Sequence, residues 1–231
     1  MPRMLLNLLR ATRRVLLRGL FAIPHRGMVK KYLESNQIRK LQIGSGRNVL
    51  KGWLNTDLNP TKEIVLLDAT KKLPFDDCTF DYVFMEHFIE HLEYQDGIGV
   101  VRECYRVLKP GGKLRISTPD LRFLIGLYAE NKSELQERYV VWAVDSFLPD
   151  IGIYQDIFVI NNFFRAWGHK LIYDYKTLKS VLEKCGFIDI THYDLGESDD
   201  RNLQNVEFHG HHITDEFNKL ESMVLEATKP V

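Results

Sequence analysis

The chain has 231 residues, of which 45% are apolar, enough for one sizeable core. Its formal charge is zero, but the first 33 residues hold eight Lys or Arg and no acid, leaving 23 basic against 31 acidic residues. Because the remainder is net negative, the composition argues against a general binder of phosphate backbones, which needs a basic face on its body.

The N-terminal segment, residues 1–36, is predicted to begin with a basic amphipathic helix. On a helical wheel up to Pro24, one face holds Leu5, Leu8, Leu9, Thr12, Leu16 and Leu20, and the opposite face holds Arg3, Arg10, Arg14 and Arg18. Such a helix binds an anionic membrane surface, docks on the protein's own body or a partner subunit, or acts as a transit peptide, and the pattern does not separate these cases. We therefore keep peripheral membrane contact through residues 3–20 as one expectation.

The location is predicted from two further features. No apolar run approaches the roughly 20 residues that cross a bilayer. Three scattered cysteines, Cys78, Cys104 and Cys185, show neither metal-ligand spacing nor a disulfide framework. A reducing cytoplasm fits this usage best, with possible membrane association through the first helix.

Residues 37–231 are predicted to form a single domain. Short apolar runs predict five strands, at about 39–43, 53–56, 64–67, 82–85 and 113–117. The best-marked helix, about 94–108, ends at Lys109-Pro110-Gly111-Gly112 and connects the fourth strand to the fifth. A strand, a helix and a second strand in this order are typical of a parallel α/β sheet.

The second half interrupts this alternation with a cap insertion at about residues 121–172. Helices are expected at 121–128 and 134–147, followed by an aromatic stretch that ends in Trp167-Gly168-His169-Lys170. A helix at 174–185, a strand at 188–193, a loop and a last strand at 223–227 complete the prediction.

Glycines and acids follow the predicted strands in a specific order. Gly44-Ser45-Gly46 comes after the first strand, Asp57 after the second, and Asp68-Ala69 after the third. This order, over roughly residues 38–120, resembles the class I S-adenosylmethionine-dependent methyltransferases, of the type 11-like kind. Only 11 residues separate Gly46 from Asp57, so the first helix must shrink to about one turn. That shortening resembles a subgroup of predicted methyltransferases found mainly in bacteria.

The resemblance implies a fold and a cofactor. The fold is α/β, a Rossmann-like seven-stranded mixed sheet with helices on both faces and an antiparallel last strand. The cofactor is S-adenosylmethionine. Gly44, Ser45 and Gly46 are then expected to line its amino-acid and ribose side, and Asp57 to accept both ribose hydroxyls. Further cofactor contacts are expected from Asp68 to the adenine amino group, Ala69 to the ring and Glu86 to the methionine portion.

Two positions depart from the family pattern. Gln42 stands where the family has an acidic residue, two positions before the first glycine, and Asn48 stands where the family has its third glycine. The contacts that those positions carry in the family are therefore not transferred to this chain. The missing third glycine and the short first helix also disfavour a nicotinamide dehydrogenase, the rival with a similar fold.

Three histidines are the candidate catalytic residues: His87, His91 and His169. His169 follows an aromatic loop suited to orienting a substrate and is the favoured general base. On a helix His87, Glu90 and His91 would share one face, where they would bind a divalent metal, contact substrate, or only pack. We assign no metal ligands at this stage.

The predicted function is methyl transfer to an unidentified acceptor, with a preference for O-methylation of a small molecule or a sugar. The partner is then a small-molecule or glycan substrate. DNA is not expected, because no Asn/Asp-Pro-Pro-Tyr element follows the fourth strand and the body is net negative. Two alternatives stay open: a non-catalytic S-adenosylmethionine-binding regulator, and a metal-assisted O-methyltransferase.

Overall fold

The computed structural model describes residues 25–208 and 213–231. The predicted basic helix, including residues 3–20, and the histidine run at 209–212 lie outside the described residues. Within the described part no helix is long and apolar enough to cross a membrane. Residues 25–35 are helical (α1) and pack on the main core through Val29, Tyr32 and Leu33.

Within the described residues, seven strands form one mixed sheet in the order β3-β2-β1-β4-β5-β7-β6. Strands β1 to β5 are parallel, and β7 runs antiparallel to both β5 and β6. The predicted mixed sheet with an antiparallel last strand is confirmed. The strands are β1 (Lys40–Ile43), β2 (Leu54–Asp57), β3 (Val65–Leu66), β4 (Phe80–Glu86), β5 (Leu108–Pro119), β6 (Ile188–Tyr193) and β7 (Ser222–Thr228).

In the described part of the chain, six further α-helices and one short 3₁₀ helix accompany the strands. They are the 3₁₀ helix Ile89–His91, α2 (Tyr94–Val107), α3 (Leu121–Gly126), α4 (Glu134–Phe147), α5 (Asp156–Arg165), α6 (Tyr175–Lys184) and α7 (Asp215–Glu221).

Four local predictions need correction. The expected aromatic stretch contains α5, whose buried Val159 and Phe163 stand four residues apart, a helical period that the surrounding aromatic residues concealed. The expected loop before the last strand contains α7, capped by Thr214. Strand β5 begins at Leu108, because Leu108 pairs with Phe80 before a register shift. Residues 44–53, all described, hold only turns and not the expected helical turn.

The two faces of the sheet differ in polarity. Leu41, Val83 and Leu114 point to one face and join the main apolar core. Because side chains alternate along a strand, their neighbours Gln42 and Arg115 point to the other face, where both are fully buried. Helices α2 and α6 contribute to the apolar core, so the buried polar side chains need partners from elsewhere.

The segment of residues 194–208 supplies partners for Arg115. Arg115 donates to Glu207 at 2.5 Å and to the Glu197 carbonyl at 2.8 Å, both in this segment, and to Glu226 of β7 at 2.5 Å. Leu203 packs in a separate cluster with Trp53, Phe84 and Val206. A full crossover helix does not fit into residues 44–53, so this late segment covers the face that such a helix would occupy.

The cap, residues 121–172, has a core of its own. Phe123, Tyr139 and Phe163 form its aromatic centre, and Phe217 of α7 packs into the same cluster. The cap thus lies against the carboxyl ends of β4 and β5, where His87 and Pro119 line a pocket together with cap residues. The domain boundaries at residues 37, 121 and 172 stay predictions.

Candidate functional site

The turn after β1 is built from left-handed glycines. Gly44 has φ of +66° and Gly46 of +57°, a region that side chains with a Cβ disfavour. A Cβ on Gly44 would lie 2.3 Å from the Phe88 ring, whereas one on Gly46 would meet nothing within 4 Å. The buried Ser45 donates its backbone N–H to the Thr56 carbonyl at 2.9 Å. Among the described residues its hydroxyl has no hydrogen-bond partner.

This turn forms one wall of a cleft of about 730 Å³. Residues 47–51, Glu86, His87, Asn205 and Phe208 form the rest of its lining. The Glu86 carboxylate accepts from the Phe208 backbone N–H at 2.8 Å and from the Asn48 side chain at 3.4 Å. Asn48, which replaces the family's third glycine, therefore helps to hold an acid at the cleft. We call this space the cofactor cleft.

The other predicted cofactor residues, Asp57, Asp68 and Ala69, are not among the residues that line this cleft. Asp57 accepts from the Gly46 N–H at 3.0 Å and from the Asn59 backbone and side chain at 2.7 and 3.2 Å. These bonds use three of about four acceptor positions of a carboxylate. Binding both ribose hydroxyls therefore requires Asp57 to exchange at least one bond. Asp68 accepts from Thr70 at 2.6 Å, and Ala69 is buried.

A second, more enclosed space of about 410 Å³ lies under the cap. Five aromatic side chains line it, together with the three predicted histidines and two carboxylates. His87 lines both this pocket and the cofactor cleft. We call the space the acceptor pocket; its aromatic residues are Tyr139, Trp142, Phe147, Phe163 and Trp167, its histidines His87, His91 and His169, and its acids Glu90 and Glu221.

His87 is fixed by two partners on opposite sides of its ring. Its Nε2 lies 3.1 Å from the Ser222 hydroxyl, and its Nδ1 lies 3.4 Å from the buried Glu90 carboxylate. Burial by itself would lower the pKa of His87, but its contact with the Glu90 carboxylate and the charges of Glu90, Glu221 and Glu86 outweigh burial and raise the pKa to about 9. His87 is therefore a cation at neutral pH. Its φ of +44° shows that it stands in a turn and not on the expected helix.

Glu221 is a site residue that the sequence analysis missed. It is buried at the end of α7 and accepts a hydrogen bond from the Tyr139 hydroxyl of α4. Burial raises the pKa of Glu221 to about 7, despite the opposing effects of His87 and Tyr139. An isolated Glu before a strand gives no sequence signal, and only the packing of α7 under the cap places it here.

The rings of His91 and His169 contact each other edge to face in the pocket wall, with centroids 5.0 Å apart. Trp167 and Gly168, at φ of +52° and +87°, turn the chain so that His169 returns to the pocket. The His169 Nδ1 lies 2.7 Å from the Phe163 carbonyl, which assigns the ring proton to Nδ1 and a lone pair to Nε2. Burial lowers the pKa of His169, so this ring is neutral at pH 7.

Comparisons with known proteins agree with this architecture. Residues 42–116 match the sequence profile of the family described as methyltransferase domain, over about a third of the chain. No curated protein matches the chain.

Solved structures also match. One is a SAM dependent methyltransferase from Archaeoglobus fulgidus, 19% identical, with 94% of each chain covered and a TM-score of 0.51. Another is a possible histamine N-methyltransferase from Thermotoga maritima, 18% identical, covering 94% of this chain and 96% of that one, with a TM-score of 0.49. At such identities the likeness concerns the fold alone.

Proposed function

We propose that the chain is a class I, S-adenosylmethionine-dependent methyltransferase and that it methylates an oxygen atom of a small molecule or a sugar. The observation that carries this proposal is the position of His87, which lines both the cofactor cleft and the acceptor pocket. Two adjoining spaces of different chemistry suit a reaction in which a donor and an acceptor meet at one boundary.

The residues of the cofactor cleft fit S-adenosylmethionine, which supplies an activated methyl group when bound. The buried Ser45 hydroxyl has no hydrogen-bond partner within the described chain and is available to a ligand. The backbone at Gly46 faces open space. We assign the amino-acid and ribose side to Gly44, Ser45 and Gly46, and the methionine portion to Glu86. Asp57, Asp68 and Ala69 stay predictions for the ribose and adenine.

The acceptor pocket supports an oxygen acceptor because of the state of its histidines. A hydroxyl loses its proton when its oxygen bonds to the methyl carbon, whereas the C–S electron pair of the donor remains on sulfur. The neutral His169 offers a lone pair at Nε2 to receive that proton. The cationic His87 lies at the boundary with the cofactor cleft, and the ring of His91 contacts that of His169.

The pocket walls favour a small acceptor with an apolar surface. Aromatic side chains bury a ring or sugar face well, and the volume of about 410 Å³ accommodates a metabolite but not a folded macromolecule. A nucleic-acid substrate is not proposed. A metal-assisted version of the reaction is a second candidate, favoured by the grouping of Glu90, His91 and His169.

We propose a cytoplasmic location because Cys78, Cys104 and Cys185 are all free. Peripheral membrane contact through residues 3–20 stays a prediction, since these residues lie outside the described part of the chain.

The test has two stages. Calorimetry with S-adenosylmethionine, S-adenosylhomocysteine and NAD is expected to give heat with the first two only. Glu86→Gln should weaken binding about tenfold, the effect of losing one charged hydrogen bond, whereas the exposed Glu63→Gln serves as the matched control.

In the second stage, labelled cofactor is incubated with a cell extract that is then separated into sugars, lipids, proteins, nucleic acids and small metabolites. Label in the sugar or small-metabolite fraction supports the proposal. Label confined to nucleic acid or protein, or heat from NAD alone, would overturn it.

A further inference from the structure

Glu90, His91 and His169 bring three potential metal-ligand atoms together in the acceptor pocket. One carboxylate oxygen and one ring nitrogen from each histidine all lie within 4.8 Å of one another. Two ligands at about 2.1 Å from one ion lie at most roughly 4.2 Å apart. A small side-chain adjustment therefore brings the three atoms to ligand distance.

The three side chains come from two separate parts of the fold. Glu90 and His91 belong to the 3₁₀ helix after β4, and His169 comes from the cap. The Lys170 and Leu171 backbone N–H groups donate to the Glu90 carbonyl at 2.7 and 3.2 Å, which fixes the cap segment after Trp167 against the 3₁₀ helix. The grouping is therefore held by backbone hydrogen bonds.

The buried carboxylate is incompletely satisfied. Glu90 is fully buried, and its Oε2 accepts from the Thr118 hydroxyl at 3.0 Å. Its Oε1 has no hydrogen-bond partner among the described residues, and its ion pair with His87 Nδ1 is long, at 3.4 Å. A buried oxygen in this state costs free energy unless a further partner binds it.

His169 has the orientation of a metal ligand. Its Nδ1–H donates to the Phe163 carbonyl, so the Nε2 lone pair is the free position. Histidines that bind metals commonly donate their other ring N–H to a carbonyl or carboxylate in this way, which fixes the tautomer and the ring.

We propose that Glu90, His91 and His169 bind one divalent transition-metal ion, such as Zn²⁺, Co²⁺ or Mn²⁺, in the acceptor pocket. Two imidazoles and one carboxylate suit these ions better than Mg²⁺ or Ca²⁺, which prefer oxygen ligands. Three protein ligands leave positions open, and such sites bind a water or a substrate oxygen.

This role rests on the proposed function. The ion binds the acceptor hydroxyl and lowers its pKa, so the proton leaves to solvent water when the oxygen bonds to the methyl carbon. This is the metal-assisted candidate of the proposed function, in which His169 is a metal ligand and water replaces it as the proton acceptor. His87 keeps its place at the boundary with the cofactor cleft.

The test measures metal binding independently of methyl transfer. Full-length protein freed of any polyhistidine tag is stripped with a chelator and titrated with Co²⁺, followed by its visible absorption and by calorimetry. One equivalent per chain at micromolar affinity is expected. His91→Ala and His169→Ala should each weaken binding at least tenfold, whereas the exposed His192→Ala should not. Circular dichroism reports whether each variant folds.

Three results would refute the proposed metal site. These are the absence of stoichiometric Co²⁺ binding by the wild-type chain, binding that survives both pocket variants, and binding lost only when the histidines at 209, 211 and 212 are replaced. Calorimetry with S-adenosylmethionine on the stripped protein separates the two proposals. Cofactor binding without metal binding refutes the ion alone, and metal binding without cofactor binding refutes the proposed function.

Discussion

The cofactor cleft and the acceptor pocket adjoin at His87 but are built in different ways. The cleft is formed largely by one local turn, in which backbone geometry at Gly44 and Gly46 determines the shape. The pocket is formed by side chains that are far apart in sequence, from His87 to Glu221. On the proposed assignment of the two spaces, donor binding depends on a backbone conformation, whereas acceptor binding depends on how the cap packs.

The largest expected effect is on the pocket alone. His169→Ala removes the side chain that assists loss of the acceptor's proton, so methyl transfer should fall roughly 10²–10⁴-fold. Cofactor affinity should stay within about twofold, because His169 lines the pocket and not the cleft. Turnover assays and calorimetry measure the two quantities. An equal loss of cofactor affinity would show that the two spaces are not separable.

The next largest effect is expected from a substitution in the glycine turn that forms the wall of the cleft. Gly44→Ala places a Cβ 2.3 Å from the Phe88 ring, in a left-handed conformation at φ +66°, and should destabilise the fold by about 3 kcal/mol. Gly46→Ala is the matched control, because its Cβ meets nothing within 4 Å and only the conformational cost of about 1 kcal/mol applies. Urea unfolding measures both. Equal losses would contradict the role of the Phe88 contact.

The boundary residue His87 should make stability depend on pH. Its pKa in the folded protein is raised to about 9 from 6.5, so its stabilisation is fully present below about pH 6.5 and is lost as the pH rises through about 9. The loss is of the order of 3 kcal/mol, at about 1.4 kcal/mol per pKa unit.

In His87→Asn, stability should no longer fall as the pH rises through about 9. Asn is a suitable replacement because it tolerates the left-handed backbone at this position. Thermal unfolding between pH 6 and 9.5 measures this dependence. Glu221, which interacts electrostatically with the same ring, adds a second loss of stability as the pH rises from about 4.5 to 7, because its pKa is raised in the folded protein. A profile that is unchanged in His87→Asn would show that His87 is not the group that titrates.

The smallest expected effect concerns one hydrogen bond in the pocket wall. Tyr139→Phe removes the hydroxyl that donates to Glu221 and should cost about 1–3 kcal/mol, because it leaves a buried carboxylate without that donor. Tyr154→Phe removes a similar bond to Asp145 on the surface and should cost less than about 0.5 kcal/mol. Denaturant unfolding compares the two variants. Similar costs would indicate that solvent reaches Glu221.

Sequence alone predicted the parts of this protein that depend on local pattern. The alternation of apolar runs, Pro and Gly predicted the parallel strands and α2, and the resemblance carried by Gly44, Gly46 and Asp57 predicted the methyltransferase fold. The 11-residue spacing between Gly46 and Asp57 also indicated that the first crossover is too short for a full helix. Helices α5 and α7 escaped prediction, because α5 is rich in aromatic residues and α7 has only seven residues.

Only the tertiary structure decided which distant side chains meet. The short crossover after β1 exposes a polar face of the sheet, and the segment of residues 194–208 covers it with Glu207 against Arg115. The cap brings His169 to Glu90 and His91, and α7 brings Glu221 to His87. Such contacts depend on how separate elements pack, and packing joins residues whose sequence spacing carries no periodic signal.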